Sequence, residues 1–374
     1  MAMTGRGTTV IICIDGFDPE YLEACEIPNL KEIGKKGFLR IGKSMMPSVT
    51  NVNNVSIVTS CYPQVHGISS NYRLVRETGE EIYMESGDYI LSETMFQRAE
   101  TLGEKSIVVT SKDKLRTLLT KGATVTVSSE QAPKDLIKAV GEPPAIYSLE
   151  VNGWVIRAGT HLMGQMDSKI VYLTTTDFAM HTYAPDDPES QRHMKILDDS
   201  IGDLLSKYPD VNLFVSADHG MSSKSKMVDL ESELVNYGIG CTAVPIIKDR
   251  YIVHHANLGG CMFVYLENQS DTDEAVKVLS DTSGVERVYT RSEAVDELRL
   301  HYDRIGDLVV TGDSITVFGC PEEVEMPPTL RSHASAHEQD VPIFGYLSEN
   351  IPIDETDFNE NRSIGKFVFD RILS

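Results

Sequence analysis

Four short runs in this chain, TTVIICID (8–15), KSIVVTS (105–111), SKIVYLTT (168–175) and VNLFVSAD (211–218), are apolar at almost every position. A strand with one wet face alternates apolar and polar residues, so a run without alternation must be covered on both faces. Helices are the usual cover, and amphipathic segments lie between the runs. SETMFQRAETLG (92–103) is one. SQRHMKILDDSIGDLLSKYP (190–209) is another, with Met194, Leu197, Ile201, Leu204 and Leu205 on one helical face. Strand and helix in alternation predict an α/β fold with a doubly wound, mostly parallel central sheet. In such sheets chemistry collects beyond the carboxyl ends of the strands.

From about 235 to 325 the texture changes. DRYIVHHANLGGCMFVYLENQSDTDEAVKVLSDTSGVERVYT offers a strand, a turn, an amphipathic helix and a further strand, followed by DSITVFGC. VPIFGYL then resembles one more core strand. A chain of 374 residues is long enough for one large α/β domain carrying an insertion. The expected division is a catalytic core of 1–234 and 326–374, with 235–325 as a smaller inserted α+β cap. There is no internal repeat and no low-complexity tract.

The balance of 34 basic and 56 acidic residues gives a net charge of −22, which argues against binding nucleic acid through its backbone. A small anion can still bind where a local positive centre overrides the global field, and a metal site is such a centre. The six cysteines (Cys13, Cys25, Cys61, Cys241, Cys261, Cys320) include no C-x-x-C pair and read as buried thiols of a reducing compartment. MAMTGRGTTVIICID has no signal-peptide core, and no apolar run reaches the roughly 18 residues of a membrane span. The expected location is the cytoplasm, with no membrane partner.

Three of the strands end in aspartate, at Asp15, Asp177 and Asp218. Asp18 precedes Pro19 and fits a helix N-cap, which leaves Asp15 without a structural duty. Asp177 and His181 share a face if their segment is helical. Asp218 is followed by His219 and then Gly220, which permits a tight turn beside a ligand. Thr50, in MMPSVTNVNNVSIVTS (45–60), should lie at the same sheet edge. Either its hydroxyl caps the helix starting there, or the helix end presents the hydroxyl to an incoming phosphate. Three buried carboxylates repel one another unless cations neutralise them. Imidazole with carboxylate suits zinc, with manganese or iron as alternatives, and suits calcium poorly. Two metals need at least six protein ligands, of which these strand ends supply five. RSHASAHEQDVPIFG offers His333 and His337 for the sixth.

Together these motifs resemble the alkaline phosphatase superfamily, in the branch that holds nucleotide pyrophosphatase/phosphodiesterases and phosphonoacetate hydrolase. The likeness rests on IDGFDPEYL, MPSVTNVNNVSIVTSCYPQVHGISSNY, TDFAMHTYAPDDPES, SADHGMSSKSK and SHASAHEQDVPIF, matched in order along most of the chain. It implies an alkaline phosphatase-like core, Thr50 as nucleophile and two zinc sites. One site would hold Asp177, His181 and His333; the other would hold Asp15, Asp218 and His219, completed by the Thr50 oxygen. His333 is preferred because the family carries a Ser/Thr-His-Gly run there, although Ala334 stands in place of that glycine and a second histidine precedes Glu338. Asn71, in GISSNY, matches the asparagine that bonds a phosphoryl oxygen.

VVTSKDKLRTLL resembles the phosphonoacetate hydrolase segment whose two lysines bind the substrate carboxylate, here Lys112 and Lys114. Without that likeness they read as a solvated helix N-terminus, where lysine is mildly disfavoured. The implied activity is zinc-dependent hydrolysis of the C–P bond of phosphonoacetate through a phosphothreonine. The alternative is a phosphodiesterase or nucleotide pyrophosphatase on the same two-metal core, although the aromatic pair that usually reads a base has no clear equivalent. Cys61 lacks the Cys-x-Pro-x-Arg run of arylsulfatases, and the phosphoglycerate mutases use serine with a different ligand pattern. The expected partner is a small anionic phosphonate, and a homodimer is an assembly open to the chain.

Overall fold

The computed structural model describes residues 7–248, 255–348 and 351–374. The start of the N-terminal stretch read for a signal peptide (1–6) and part of the expected cap (249–254) lie outside the described residues. The central sheet is built from β1 (Thr9–Cys13), β2 (Phe38–Lys43), β3 (Ser106–Thr110), β4 (Val125–Ser128), β5 (Ile170–Thr174) and β6 (Asn212–Ser216). The inserted strands are β7 (Cys241–Pro245), β8 (Cys261–Leu266), β9 (Val285–Thr290) and β10 (Leu308–Gly312), and β11 (Asp340–Tyr346) returns to the central sheet. The spatial order is β2-β11-β6-β1-β5-β3-β4. The five strands from β6 to β4 run parallel, whereas β11 is antiparallel to both β6 and β2.

Helices cover both faces: α1 (Pro19–Ala24), α2 (Thr50–Thr59), α3 (Asp113–Leu119), α4 (Glu150–Met163), α5 (Phe178–Thr182) and α6 (Pro188–Lys207). Alternate residues of one strand serve opposite cores, as the period of two requires. Val10 and Ile12 pack with Val171, Leu173, Trp154, Met194, Leu197 and Ile201 on one face. Ile11 and Cys13 pack with Tyr172, Phe214, Val52, Val55 and Val58 on the other. Of the stripe expected on α6, Leu205 alone is only half-buried. Gly159 lets α4 approach β5 where any Cβ would collide with Leu173.

The inserted strands form a separate antiparallel sheet in the order β7-β8-β10-β9, with the helix Thr272–Asp281 packed on it through Ala275, Val278 and Leu279. DSITVFGC lies outside that sheet: Thr316–Phe318 runs parallel to Lys226–Val228. All six cysteines are free thiols. Among the described residues no helix is long and apolar enough to cross a membrane.

Candidate metal centre

In-register pairing aligns Thr110, Thr174, Cys13 and Ser216 as one row across the carboxyl ends of β3, β5, β1 and β6. The loops leaving these strands therefore emerge at one edge. Lys112 and Lys114 come after β3, Asp177 and His181 after β5, Asp15 after β1, and Asp218 and His219 after β6. The loop before β11 adds His333, and α2 adds Thr50. Every one of these side chains is buried.

Two groups of donor atoms gather within 4.8 Å, one from Asp15, Asp218 and His219 and one from Asp177, His219 and His333. His219 Nε2 lies 3.3 Å from Asp15 Oδ1 and 3.9 Å from Asp218 Oδ1. His181 Nε2 lies 2.9 Å from Asp177 Oδ2, and His333 Nε2 lies 3.9 Å from the same oxygen. The rings of His219 and His333 stack with centroids 3.6 Å apart and 6° between planes, so His219 reaches both groups. His337 faces outward, with Nε2 3.0 Å from Glu286 Oε2.

The donor chemistry fits metal ions. Each imidazole is anchored through Nδ1 to a backbone carbonyl: His181 to Arg331 at 2.6 Å, His219 to Gly220 at 2.9 Å, and His333 to Ser48 at 2.7 Å. A ring that donates from Nδ1 keeps a lone pair on Nε2, the usual arrangement of a metal-binding histidine. Both carboxylate oxygens of Asp15 are buried with no hydrogen-bond partner among the described residues. Burial, followed by Asp15, holds the Asp218 carboxyl well above the ordinary range. Burial opposes protonation of His219, yet Asp218, Asp15 and Asp177 push its imidazole up to about 10. Burial, with His219 and His181 beside it, holds His333 well below the usual value. Protons on this cluster stand in for cations, which nitrogen and oxygen donors of this kind would hold.

Thr50 is not a cap. Val49, in extended conformation, occupies the N-cap position and gives its carbonyl to Asn53 N at 3.1 Å, which puts Thr50 at the first helical position. Its Oγ1 lies 3.4 Å from His219 Nε2. The Asn71 oxygen accepts from Asn51 N at 3.1 Å, so that amide is fixed at the start of α2 with its oxygen turned to the helix. The lysines are not on a wet helix end either. Lys112 occupies the N-cap position of α3, and its Nζ lies 3.2 Å from Asp177 Oδ1. Lys114 is buried in the first turn.

Several positioning residues are not apparent from the sequence. Asn54, one helical turn after Thr50, donates from Nδ2 to Asp218 Oδ2 at 3.1 Å and accepts from the Tyr172 hydroxyl at 2.8 Å. Its spacing from Thr50 could have revealed it. Asn152 of α4 bonds both backbone groups of Thr176, at 2.8 and 2.9 Å, and so fixes the approach to Asp177. His255, from the insertion, packs its ring 5.6 Å from that of His181, and nothing in the sequence links the two. Ala334 adopts φ 91°, in the left-handed region that favours glycine.

The family model described as type I phosphodiesterase / nucleotide pyrophosphatase matches residues 9–333. The chain belongs to this family. Phosphonoacetate hydrolase from Sinorhizobium meliloti, solved in complex with phosphonoacetate and with phosphonoformate, superposes with a TM-score of 0.88. It is 32% identical, and the match covers 98% of this chain and 96% of that one. The murine ectonucleotide pyrophosphatase / phosphodiesterase 5 shares the fold at a TM-score of 0.71, with 15% identity over 98% of this chain and 95% of that one. The bis(5'-adenosyl)-triphosphatase of Mus musculus is 25% identical over 256 residues, which are 62% of this chain and 51% of that protein. The chain thus spans about half the length of the curated relatives it matches.

Proposed function

We propose that this chain is a metal-dependent hydrolase that cleaves the carbon–phosphorus bond of phosphonoacetate, releasing acetate and phosphate. The observation that carries the proposal is a buried lysine at the donor cluster, Lys112 with Nζ 3.2 Å from Asp177 Oδ1, followed two residues later by a second buried lysine, Lys114, both just beyond the carboxyl end of β3. Overall likeness to a hydrolase solved with phosphonoacetate supports it.

Asp177, His181 and His333 would hold one ion, and Asp15, Asp218 and His219 the other. Zinc suits the set, with manganese and iron as alternatives. The ions would lower the pKa of the Thr50 hydroxyl and neutralise the phosphonyl oxygens. Thr50, its proton passed to solvent, attacks phosphorus opposite the carbon; the P–O bond forms as the P–C bond breaks, leaving a phosphothreonine. The Asn71 amide donates to a phosphonyl oxygen, a contact that strengthens as charge builds there. Carbon is a poor leaving group, but the departing carbanion delocalises into the neighbouring carboxylate as an enolate. The two ammonium groups stabilise that charge more in the transition state than in the ground state, which is what acceleration requires. The enolate takes a proton from solvent to give acetate, and water then attacks the phosphothreonine, releasing phosphate and restoring the Thr50 hydroxyl.

A diester substrate with a nucleobase would need an aromatic slot, and the pair beside Asp177 is Tyr147–Phe178. These rings pack directly on each other with centroids 5.6 Å apart. A base stacked between them would need about 7 Å, twice a ring thickness of roughly 3.5 Å. The pair is not a base slot in this arrangement.

The lysines give the test. Lys112→Met and Lys114→Met each remove a charge-assisted contact worth about 1.5–3 kcal/mol, so kcat/KM for phosphonoacetate should fall about one to two decades. Part of the loss should appear in kcat. Hydrolysis of a nitrophenyl phosphate, which has no carboxylate and a good leaving group, should barely change. Equal losses on both substrates would assign the lysines to the metals or the fold and bring the diester reading forward.

A further inference from the structure

The structure assigns Glu338 as the positioning residue that sets the two histidines His219 and His333 against each other. It is fully buried, and its polar groups are engaged with the two loops that carry those histidines. Its backbone carbonyl accepts from Gly220 N at 2.7 Å, next to His219. Its Oε1 accepts from the Ser222 hydroxyl and, at 2.7 Å, from Lys224 Nζ, both on the His219 loop. Its Oε2 accepts from Ser335 N at 3.0 Å and from the Ser335 hydroxyl at 2.7 Å, both on the His333 loop. One carboxylate therefore faces one ligand loop with each oxygen.

Lys224 is buried as well, and its Nζ also donates to the Ser314 carbonyl at 3.1 Å. Burying two charges rarely stabilises a fold better than two apolar groups of the same volume would. What the ion pair adds is geometry, because a carboxylate with every lone pair engaged tolerates little displacement. The object held is the parallel His219–His333 stack, whose centroids are 3.6 Å apart. Those two rings belong to different proposed metal positions, so Glu338 fixes how one position sits relative to the other. This assignment rests on the two-metal reading proposed above.

The test is metal titration of the full-length protein against a chromophoric zinc chelator, with the unfolding temperature of the metal-free form measured in parallel. Wild type should bind two equivalents, and fewer would overturn the two-metal reading itself. Given two, Glu338→Gln and the paired variant Glu338→Leu/Lys224→Met should bind the second equivalent at least tenfold more weakly. The paired variant carries no unpaired buried charge, so its metal-free unfolding temperature should stay near that of wild type. Ser222→Ala/Ser335→Ala keeps the ion pair and leaves no buried charge unpaired; it should keep a metal-free unfolding temperature near that of wild type and weaken the second equivalent several-fold. Wild-type affinity for both equivalents in the folded variants would overturn the role of Glu338. A second equivalent lost only in proportion to the fall in metal-free stability would overturn it too.

Discussion

Thr50 shows how a single residue's role turns on one position of register. As an N-cap its hydroxyl would be tied to the backbone; at the first turn, behind Val49, it is presented to His219. Thr50→Ala should therefore fold, keep most of its metal and lose turnover by several orders of magnitude. Thr50→Ser should keep measurable activity, since the hydroxyl remains, and wild-type rates in Thr50→Ala would falsify a covalent intermediate on this residue. The two late histidines differ as sharply. His333→Ala should lose one equivalent of metal by elemental analysis, and His337→Ala, which disturbs only an exposed contact with Glu286, should lose none. At this scale much was legible, because elimination works on aspartates. Asp18 does cap α1, bonding Glu20 N at 2.9 Å, and Asp15 has no such duty. Asn54 was legible only as the residue one turn after Thr50, and Glu338 only as the last residue of a capping box with Ser335; their other partners, Asp218 and Tyr172, Ser222 and Lys224, lie more than a hundred residues away in sequence.

Elements were readable in proportion to their burial. Each of the four unbroken apolar runs became a central strand, because a strand covered on both faces writes its environment on every residue. The outer strands β2 and β4 were missed. FLRIGK has exposed Leu39 and Ile41 and a glycine, and VTVS is only four residues long, so neither pattern separates from a loop. Packing between α4 and α6 carries a testable titration. His193 of α6 is fully buried against Asn152 of α4, with 2.9 Å between His193 Nε2 and Asn152 Nδ2, and burial lowers its pKa to about 4. Unfolded, this histidine takes a proton near 6.5, so between the two values the unfolded chain holds more protons. Stability is thus intact above about 6.5 and declines as pH falls towards 4. At pH 5 the shortfall from His193 should be about 2 kcal/mol. His193→Gln keeps an acceptor for Asn152 and has nothing to titrate. The stability gap between wild type and variant, measured by urea unfolding at pH 7 and at pH 5, should shift by that amount in favour of the variant. A constant gap would mean that His193 titrates in the fold as it does in the unfolded chain.

For the whole molecule, the decisive arrangement is electrostatic. A chain of net charge −22 binds an anion only where its own acids are gathered and neutralised, and parallel strands gather them by bringing their ends to one edge. The donor cluster and the two lysines occupy that edge together, which is why C–P hydrolysis and not simple ester hydrolysis is proposed. A change of texture from about 235 was legible, but the four-stranded sheet β7-β8-β10-β9 was not, since β10, bracketed by Asp307 and Asp313, reads as part of a polar stretch. The most direct measurement is a substrate panel on the purified, zinc-loaded enzyme: phosphonoacetate, a nitrophenyl phosphodiester and a nitrophenyl monoester, each with and without a chelator. The account predicts stoichiometric phosphate and acetate from phosphonoacetate, abolished by the chelator, at a kcat/KM well above that for either ester. Rapid diester cleavage with no acetate from phosphonoacetate would contradict it.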